Sequence, residues 1–474
     1  MLRDLNSAAP TDNGAFDVCV IGAGPAGISM ALELARKNKR VALCEAGGFE
    51  PSEESQSCYQ GAVVGDPYFA LDATRLRYFG GSTGHWSGWC YTLDDIDFAR
   101  KDRISQLAHW PITRADLAPY LSRACAFVEI KQPRGPRLLS PTKGLQEIYI
   151  SFSPPTRFGE KYRKSIVDSK NITLFLNANL TDLRVRSGRV TEAVFTSYTG
   201  QKTTVRADNY VFAMGGIENS RQLLWHNQRN NGGLYERGIP VGKYWMEHPH
   251  FTIGAALVDF GLPDKRKFFG LTPGKQMELG VLNAALRLEP LGRNATRRLV
   301  KDLMCAAPSV GEWAAGLAGE NLVCGVKLRA AWEQAPRAEN GFTLDPKNVD
   351  RFGIPAPVLH WRKSDLDHRT ITKTALQFND WLMGRKLGRL KLDSWVMGRG
   401  DYPTNDELGG HHHMGGTRMA DSPVRGVVDR NCQVFGSKNL YVAGSSVFPS
   451  GGHTNPTLSI IQLSLRLADH LTAV

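Results

Sequence analysis

Residues 16–45 constrain the fold of this chain more than any other stretch. Phe16–Ile21 (FDVCVI) is a short apolar run that reads as a buried strand. Gly22-Ala23-Gly24-Pro25-Ala26-Gly27 follows at once, and a helix is expected from Ile28 to about Lys37. Arg40–Glu45 (RVALCE) is a second strand that ends on an acid. Gly22 permits the tight turn, Gly24 lets a pyrophosphate approach the backbone, and Gly27 lets helix and strand pack closely. Glu45, about 20 residues past the glycines, can accept hydrogen bonds from a ribose and repels a 2′-phosphate. A lone G-x-G-x-x-G says little, but the complete strand–turn–helix–strand–acid unit predicts dinucleotide binding. It does not separate FAD from NAD. No second G-x-G-x-x-G occurs, so a flavin held here would draw its electrons from a substrate, not from a nicotinamide in a second such domain.

The tail from His411 to Leu471 offers polar side chains that a reaction needs. His413 precedes a Gly-Gly-Thr turn (HHHMGGT), and Asn439–Ser445 (NLYVAGS) reads as a short buried strand. Asn455 is expected at the N-cap of the last helix and Pro456 at its first position, where a missing N–H costs little. Leu458, Ile461, Leu465 and Ala468 follow at helical spacing. A helix start gathers free N–H groups at the positive end of a dipole and suits an anion. His413 and Asn455 are therefore the expected pair, a titratable imidazole and a neutral amide in one pocket. Each has a plainer alternative, a turn histidine and a simple helix cap. His453 could line the substrate side of the same pocket, or serve structure alone. His411 and His412 extend the histidine run to three. Consecutive histidines do not share one face, and no H-E-x-x-H accompanies them, so no metal site is expected.

Between these ends, Arg77–Thr92 (RYFGGSTGHWSGWCYT) makes a poor helix and a poor strand. Its glycines fit a backbone pressed against a flat ligand, with His85 and Trp86 as the notable side chains. Phe49–Ala73 reads as an excursion, Asp116–Ile130 as helical and Gln132–Arg157 as connection or lid. Ile172–Leu180 and Val190–Ser197 read as strands, and Val205–Val211 runs into a second glycine turn at Gly215. From Phe251 to about Leu392 the pattern is strand-like (Phe251–Val258, Gly280–Leu288, Asn321–Leu328), with helices near Trp313 and over Ser364–Lys386. The expected fold is α/β: a discontinuous Rossmann-like domain over 14–245 and 401–474, with a lid-like insertion near 130–160. The second domain, over 246–400, is α+β on a mostly antiparallel sheet and holds the substrate.

No run of 18 apolar residues interrupts the 474, so no membrane span is expected. The first fifteen residues hold no apolar h-region and no twin arginine, which predicts a cytoplasmic protein with a loose leader. Eight cysteines at irregular spacing, without C-x-x-C, read as reduced thiols. The net charge of +12 bears on association, not on fold. Solubility, an anionic substrate and an acidic electron acceptor are its three readings. Nucleic acid is disfavoured, because the basic residues are scattered and the densest groups, Arg293–Lys301 and Arg385–Lys391, are short.

Taken together, several stretches resemble the glucose–methanol–choline (GMC) oxidoreductases from Asp17 to Leu471. VIGAGPAGISMALELA…ALCEAG resembles the family's FAD fingerprint, GGSTGHW its flavin-contacting loop and AMGGIENSRQLL its second glycine turn. His413–Thr417 (H-x-x-G-T) and Asn455–Thr457 (N-P-T) are similar to its catalytic pair. The Asn-Pro site and the histidine loop resemble the pyranose oxidase branch and related bacterial sugar-oxidising flavoproteins. The resemblance implies FAD held by Gly22, Gly24, Pro25, Ala26, Gly27, Glu45, Gly81, Ser82, His85, Trp86, Leu180, Gly215, Gly444, Asn455, Pro456 and Thr457. It also implies that His85 can be joined covalently to the flavin, although Gly84 stands where those enzymes commonly have Thr.

The chemistry so implied is oxidation of a secondary alcohol of a sugar, glycoside or cyclitol to a ketone. Hydride goes to flavin N5, His413 takes the hydroxyl proton and Asn455 holds the oxygen. Oxygen, a quinone or another acceptor would then reoxidise the flavin. Alternatives are oxidation or non-redox lyase chemistry on a non-sugar alcohol, or an electron carrier without its own substrate. A flavin monooxygenase is disfavoured, because AGSSVFPSGG stands where those enzymes usually show a Gly-Asp motif.

Overall fold

The computed structural model describes residues 1–7, 14–258, 266–289, 307, 313, 325–404 and 407–473. The opening motif folds as its spacing requires. Ala15–Ile21 and Val41–Cys44 pair in parallel, and the helix between them runs from Pro25 to Arg36 with Pro25 in its first turn. Ile28, Met30, Ala31 and Leu34 form the helix's buried face. The strand residues are apolar on both faces, as a parallel strand covered on both sides demands.

Around this unit grows an eight-stranded sheet. Its order is Leu2–Asp4, Ile172–Leu176, Val41–Cys44, Ala15–Ile21, Lys202–Phe212, and the antiparallel pair Arg189–Thr196 and Asn179–Arg186. Leu440–Val442, from the tail, pairs in parallel with Lys202–Phe212. The last helix, Thr457–Ala473, packs against helix Pro25–Arg36, and Lys37 Nζ reaches Asp469 at 2.7 Å. The tail is thereby fixed beside the first glycine turn, although more than 400 residues separate them in sequence.

A second, seven-stranded sheet is antiparallel throughout. Its order is Gly388–Leu392, His250–Val258, Val326–Trp332, Ala284–Glu289, Lys267–Leu271, Leu145–Ile148 and Arg137–Leu138. Helix Asp365–Gly384, started by a Ser364/Asp367 capping box, covers it. A smaller sheet joins Gly341–Val349, Pro355–Trp361 and Ala62–Gly65.

Four expectations differ from this picture. The leader is not loose at its start, since Leu2–Asp4 forms the edge of the first sheet against Ile172–Leu176. The Ile172–Leu180 strand is two strands, broken at Asn177, whose φ of 54° turns the chain. The stretch near 130–160, expected as a lid-like insertion, supplies the last two strands at one end of the second sheet. The Phe49–Ala73 excursion contributes a paired strand. Of the helix expected near Trp313 only Trp313 itself is described, as helical; residues 321–324 of an expected strand lie outside the described residues, whereas Val326–Trp332 is a strand.

Candidate active site

One cavity of about 600 Å³ runs between the first sheet's glycine turns, the tail and the second sheet. Its wall contains Gly22, Gly24, Pro25, Ala26, Glu45, Gly81, Ser82, His85, Trp86, Leu180, Gly215, His413, Gly444, His453, Asn455, Pro456 and Thr457. Of the residues singled out above, Gly27 alone is absent from the wall. A Cβ on Gly27 would stand 1.9 Å from the Gly22 carbonyl oxygen, so its task is close packing of helix on turn. Gly22, with φ of 106°, is equally constrained, because a Cβ there would meet the Ala213 oxygen at 2.6 Å.

The dinucleotide end has the shape that FAD requires. A Cβ built on Gly24 or Gly215 meets nothing within 4 Å, so at both points bare backbone faces open cavity where a side chain would intrude. Helix Pro25–Arg36 starts at this wall and presents its positive end. The buried Glu45 accepts from Ala23 N at 2.8 Å and Gly47 N at 3.0 Å. Burial pushes its pKa up, and those backbone bonds work against the rise. Its carboxylate both pins the glycine turn and stands in the wall as a hydrogen-bond acceptor.

The loop Gly80–Trp86 is held from behind. Arg157 donates to the carbonyls of Thr83 and Trp86 at 2.8 and 2.9 Å, and Trp86 Nε1 donates to Thr156 O at 3.0 Å. Gly84 is explained by its neighbour: a Cβ there would lie 1.8 Å from the Tyr78 hydroxyl. A threonine would need Tyr78 displaced. His85 is exposed, and partial desolvation followed by the Arg157 charge lowers its pKa.

The three consecutive histidines diverge. His411, at φ of 52°, stacks near His85, with ring centroids 6.5 Å apart. The sequence pairs Asn455 with His413, but the structure pairs it with His412: Asn455 Nδ2 donates to His412 Nε2 at 2.9 Å. His412 Nδ1 lies 2.9 Å from His248 Nδ1, so both ring nitrogens of His412 are engaged. His413 Nε2 lies 3.1 Å from the Tyr68 hydroxyl, which donates to Glu247 Oε2 at 2.5 Å. Burial pushes the pKa of His412 and His413 well below 6.5, helped by His248 for the first and by Arg75 for the second. Both imidazoles are neutral at neutral pH, each with one donor and one acceptor nitrogen. The last helix begins at Thr457, one residue later than expected, with Ile460 N bonded to Pro456 O, and the Asn455 amide nitrogen is turned to His412.

Sequence reasoning missed Glu247 and Tyr68. Glu247 Oε1 accepts from the backbone N–H of His248 at 2.9 Å and of His412 at 2.7 Å, so one carboxylate aligns both histidine-bearing segments. Burial pushes its pKa up to about 7. The one available signal was a lone acid in the apolar run Trp245-Met246-Glu247-His248-Pro249. His453 pairs with Asp94 Oδ2 at 3.3 Å and stacks on Tyr91. Burial lowers its pKa, and the contact with Asp94 outweighs burial, leaving it raised.

Residues 336–464 match the GMC oxidoreductase family model, and residues 17–229 match that of FAD dependent oxidoreductases. A C-glycoside 3-oxidase of Microbacterium trichothecenolyticum is 28% identical over 324 residues, 64% of this chain and 54% of that protein. The chain thus aligns with about half the length of that relative. A 2-methyl-1,2-propanediol dehydrogenase of Mycolicibacterium austroafricanum is 21% identical over 96% of this chain and 95% of its own. Among solved structures, pyridoxine 4-oxidase from Mesorbium loti superposes with a TM-score of 0.61 at 15% identity, covering 96% of this chain and 99% of that one. The nucleotide cradle, the mixed α/β fold and the two matched segments mark this chain as an FAD-dependent oxidoreductase that carries a GMC oxidoreductase segment over residues 336–464.

Proposed function

We propose that the chain oxidises a secondary alcohol of a sugar, glycoside or cyclitol to a ketone. The observation that carries the reading is one cavity holding a nucleotide cradle, a neutral buried imidazole and an oriented amide. The relatives' names, an oxidase of C-glycosides and a dehydrogenase of a diol, support an alcohol substrate. Bound FAD would supply the acceptor for the hydride that leaves the alcohol carbon, and oxygen, a quinone or another acceptor would then take those electrons.

His413 is the base in this reading. The Tyr68 hydroxyl gives its hydrogen to Glu247, so its oxygen accepts from His413 Nε2–H, and the imidazole lone pair resides on Nδ1. That nitrogen takes the hydroxyl proton of the substrate. His412 is excluded from this role because Asn455 occupies its Nε2 and His248 its Nδ1. Its part is to hold Asn455. The remaining amide hydrogen and the carbonyl oxygen of Asn455 then fix the substrate oxygen, and such positioning supplies roughly 7–11 kcal/mol of a barrier in ideal models. The start of helix Thr457–Ala473 places a positive dipole end in the same wall, which favours the negative charge that arrives with the electrons.

An anaerobic panel of sugars, glycosides and cyclitols tests the reading. Bleaching of the visible flavin band by a member of the panel supports it. Product formation without bleaching would indicate lyase chemistry, and a flavin that only exchanges electrons with other proteins would neither bleach nor turn over.

A further inference from the structure

The cavity wall supplied by the second sheet carries two arginines that alcohol oxidation does not use. Arg287 and Arg329 sit directly across from each other on strands Ala284–Glu289 and Val326–Trp332. Ala285 pairs with Ala331 one rank along, on the same face, since strand residues two apart point the same way. His250 extends the alanine rank and Phe268 the arginine rank. All six side chains line the cavity. The alanine rank leaves room, and the arginine rank brings charge to its edge.

Among the described residues that charge is incompletely answered. Glu289 Oε2 lies 3.3 Å from Arg287 Nη2 and 2.9 Å from Arg329 Nη1, while its Oε1 lies 3.2 Å from Arg266 Nε. Among the described residues, three guanidinium groups thus share one carboxylate. Arg287 is 6% exposed, and the Nε of both Arg287 and Arg329 is buried without a hydrogen-bond partner. Burial pushes the pKa of Arg287 down to about 10, so it stays charged at neutral pH. Burial, then Arg287 and Arg329, push that of His250 down to about 3, so this neighbour adds no charge of its own. Buried, under-neutralised guanidinium groups are costly, and a bound anion relieves that cost through charge-assisted hydrogen bonds.

We propose that Arg287 and Arg329 form an anion subsite, so that the alcohol oxidised here carries a carboxylate or a phosphate ester away from the reacting carbon. The inference rests on the alcohol-oxidation reading and deepens it. Ala285 and Ala331 leave the space the anionic arm occupies, and Glu289 holds both arginines from the far side of the rank. The net charge of +12 would help to gather such a substrate.

The test is an anaerobic titration of the holoenzyme with D-glucuronate, D-glucose 6-phosphate and D-glucose, with perturbation and bleaching of the flavin band followed separately. At least one anion should bind about tenfold or more tightly than glucose. The stronger arm tells carboxylate from phosphate. Arg287→Gln and Arg329→Gln should each bring that preference close to unity, while Arg329→Lys keeps part of it, with FAD content and melting temperature serving as checks on folding. Equal affinity for all three compounds, no binding of any, or a preference that survives both glutamine variants would overturn the subsite. Bleaching by glucose without a charge preference removes the subsite and leaves alcohol oxidation standing. Tight anion binding without bleaching supports the subsite and counts against the oxidation reading.

Discussion

His412 and His413 are neighbours with opposite surroundings, because extended backbone sends successive side chains to opposite sides. His412 and Met414 face His248 and Gly451, whereas His413 faces Tyr68 and Trp245. The pH dependence follows from burial. The His413 pKa lies well below 6.5, pressed down by burial and then by the Arg75 charge. As the proposed base, His413 would be active above that lowered pKa and lost only as pH falls through it. A pH profile of kcat/KM should stay flat from pH 8 to below 6.5, and an acid limb at 6.5 or higher would refute the assignment. Tyr68→Phe removes the acceptor of His413 Nε2–H, and should slow flavin reduction by about tenfold to a hundredfold while leaving FAD content unchanged. At this scale His413 and Asn455 were legible because each sits in a short motif. Tyr68 and Glu247 were not, because they reach the site from segments that only folding brings together.

Among elements, the first strand–turn–helix unit was the most legible, since its glycines leave the backbone few choices. Gly27 tests that constraint directly. In Gly27→Ala the new Cβ would collide with the Gly22 carbonyl, so helix Pro25–Arg36 must shift away from the turn. Overpacking of this kind costs about 1–3 kcal/mol. A lower melting temperature and a lower ratio of flavin to protein are expected in the purified variant, and a fully loaded protein of wild-type stability would show that the turn tolerates the methyl. The short edge strands Arg137–Leu138 and Leu145–Ile148 escaped notice for a physical reason. Two to four residues give too little alternation to read, and the pair they form joins the sheet only through Lys267–Leu271, more than 100 residues away. The break at Asn177 was hidden for another reason: ITLFLNANL is apolar on both sides of a residue that tolerates positive φ.

For the whole molecule, the second sheet and the tail meet through buried charge. Lys101, from the amino-terminal part, sits 3.0 Å from Glu333, which follows second-sheet strand Val326–Trp332, and both are nearly inaccessible. Ser450 in the tail donates to the same carboxylate at 2.7 Å. Lys101→Met would leave Glu333 buried without its cation, at a cost of about 3–5 kcal/mol. A marked fall in melting temperature should follow, and an unchanged value would mean that the lobes are held by other contacts. None of this long-range pairing was legible, because a lone lysine and a lone glutamate carry no periodic signal. The two-sheet α/β plan was legible, since strand patterns and glycine turns are local. In the proposed mechanism His413 is the base and His412 only supports Asn455. The most direct measurement is the rate of flavin bleaching, without oxygen, by the most active alcohol of the panel, in wild type, His413→Ala and His412→Ala. A loss of about 10²–10⁴ is expected in His413→Ala with FAD still bound, and a smaller loss in His412→Ala. A wild-type rate in His413→Ala, or the larger loss in His412→Ala, would contradict it.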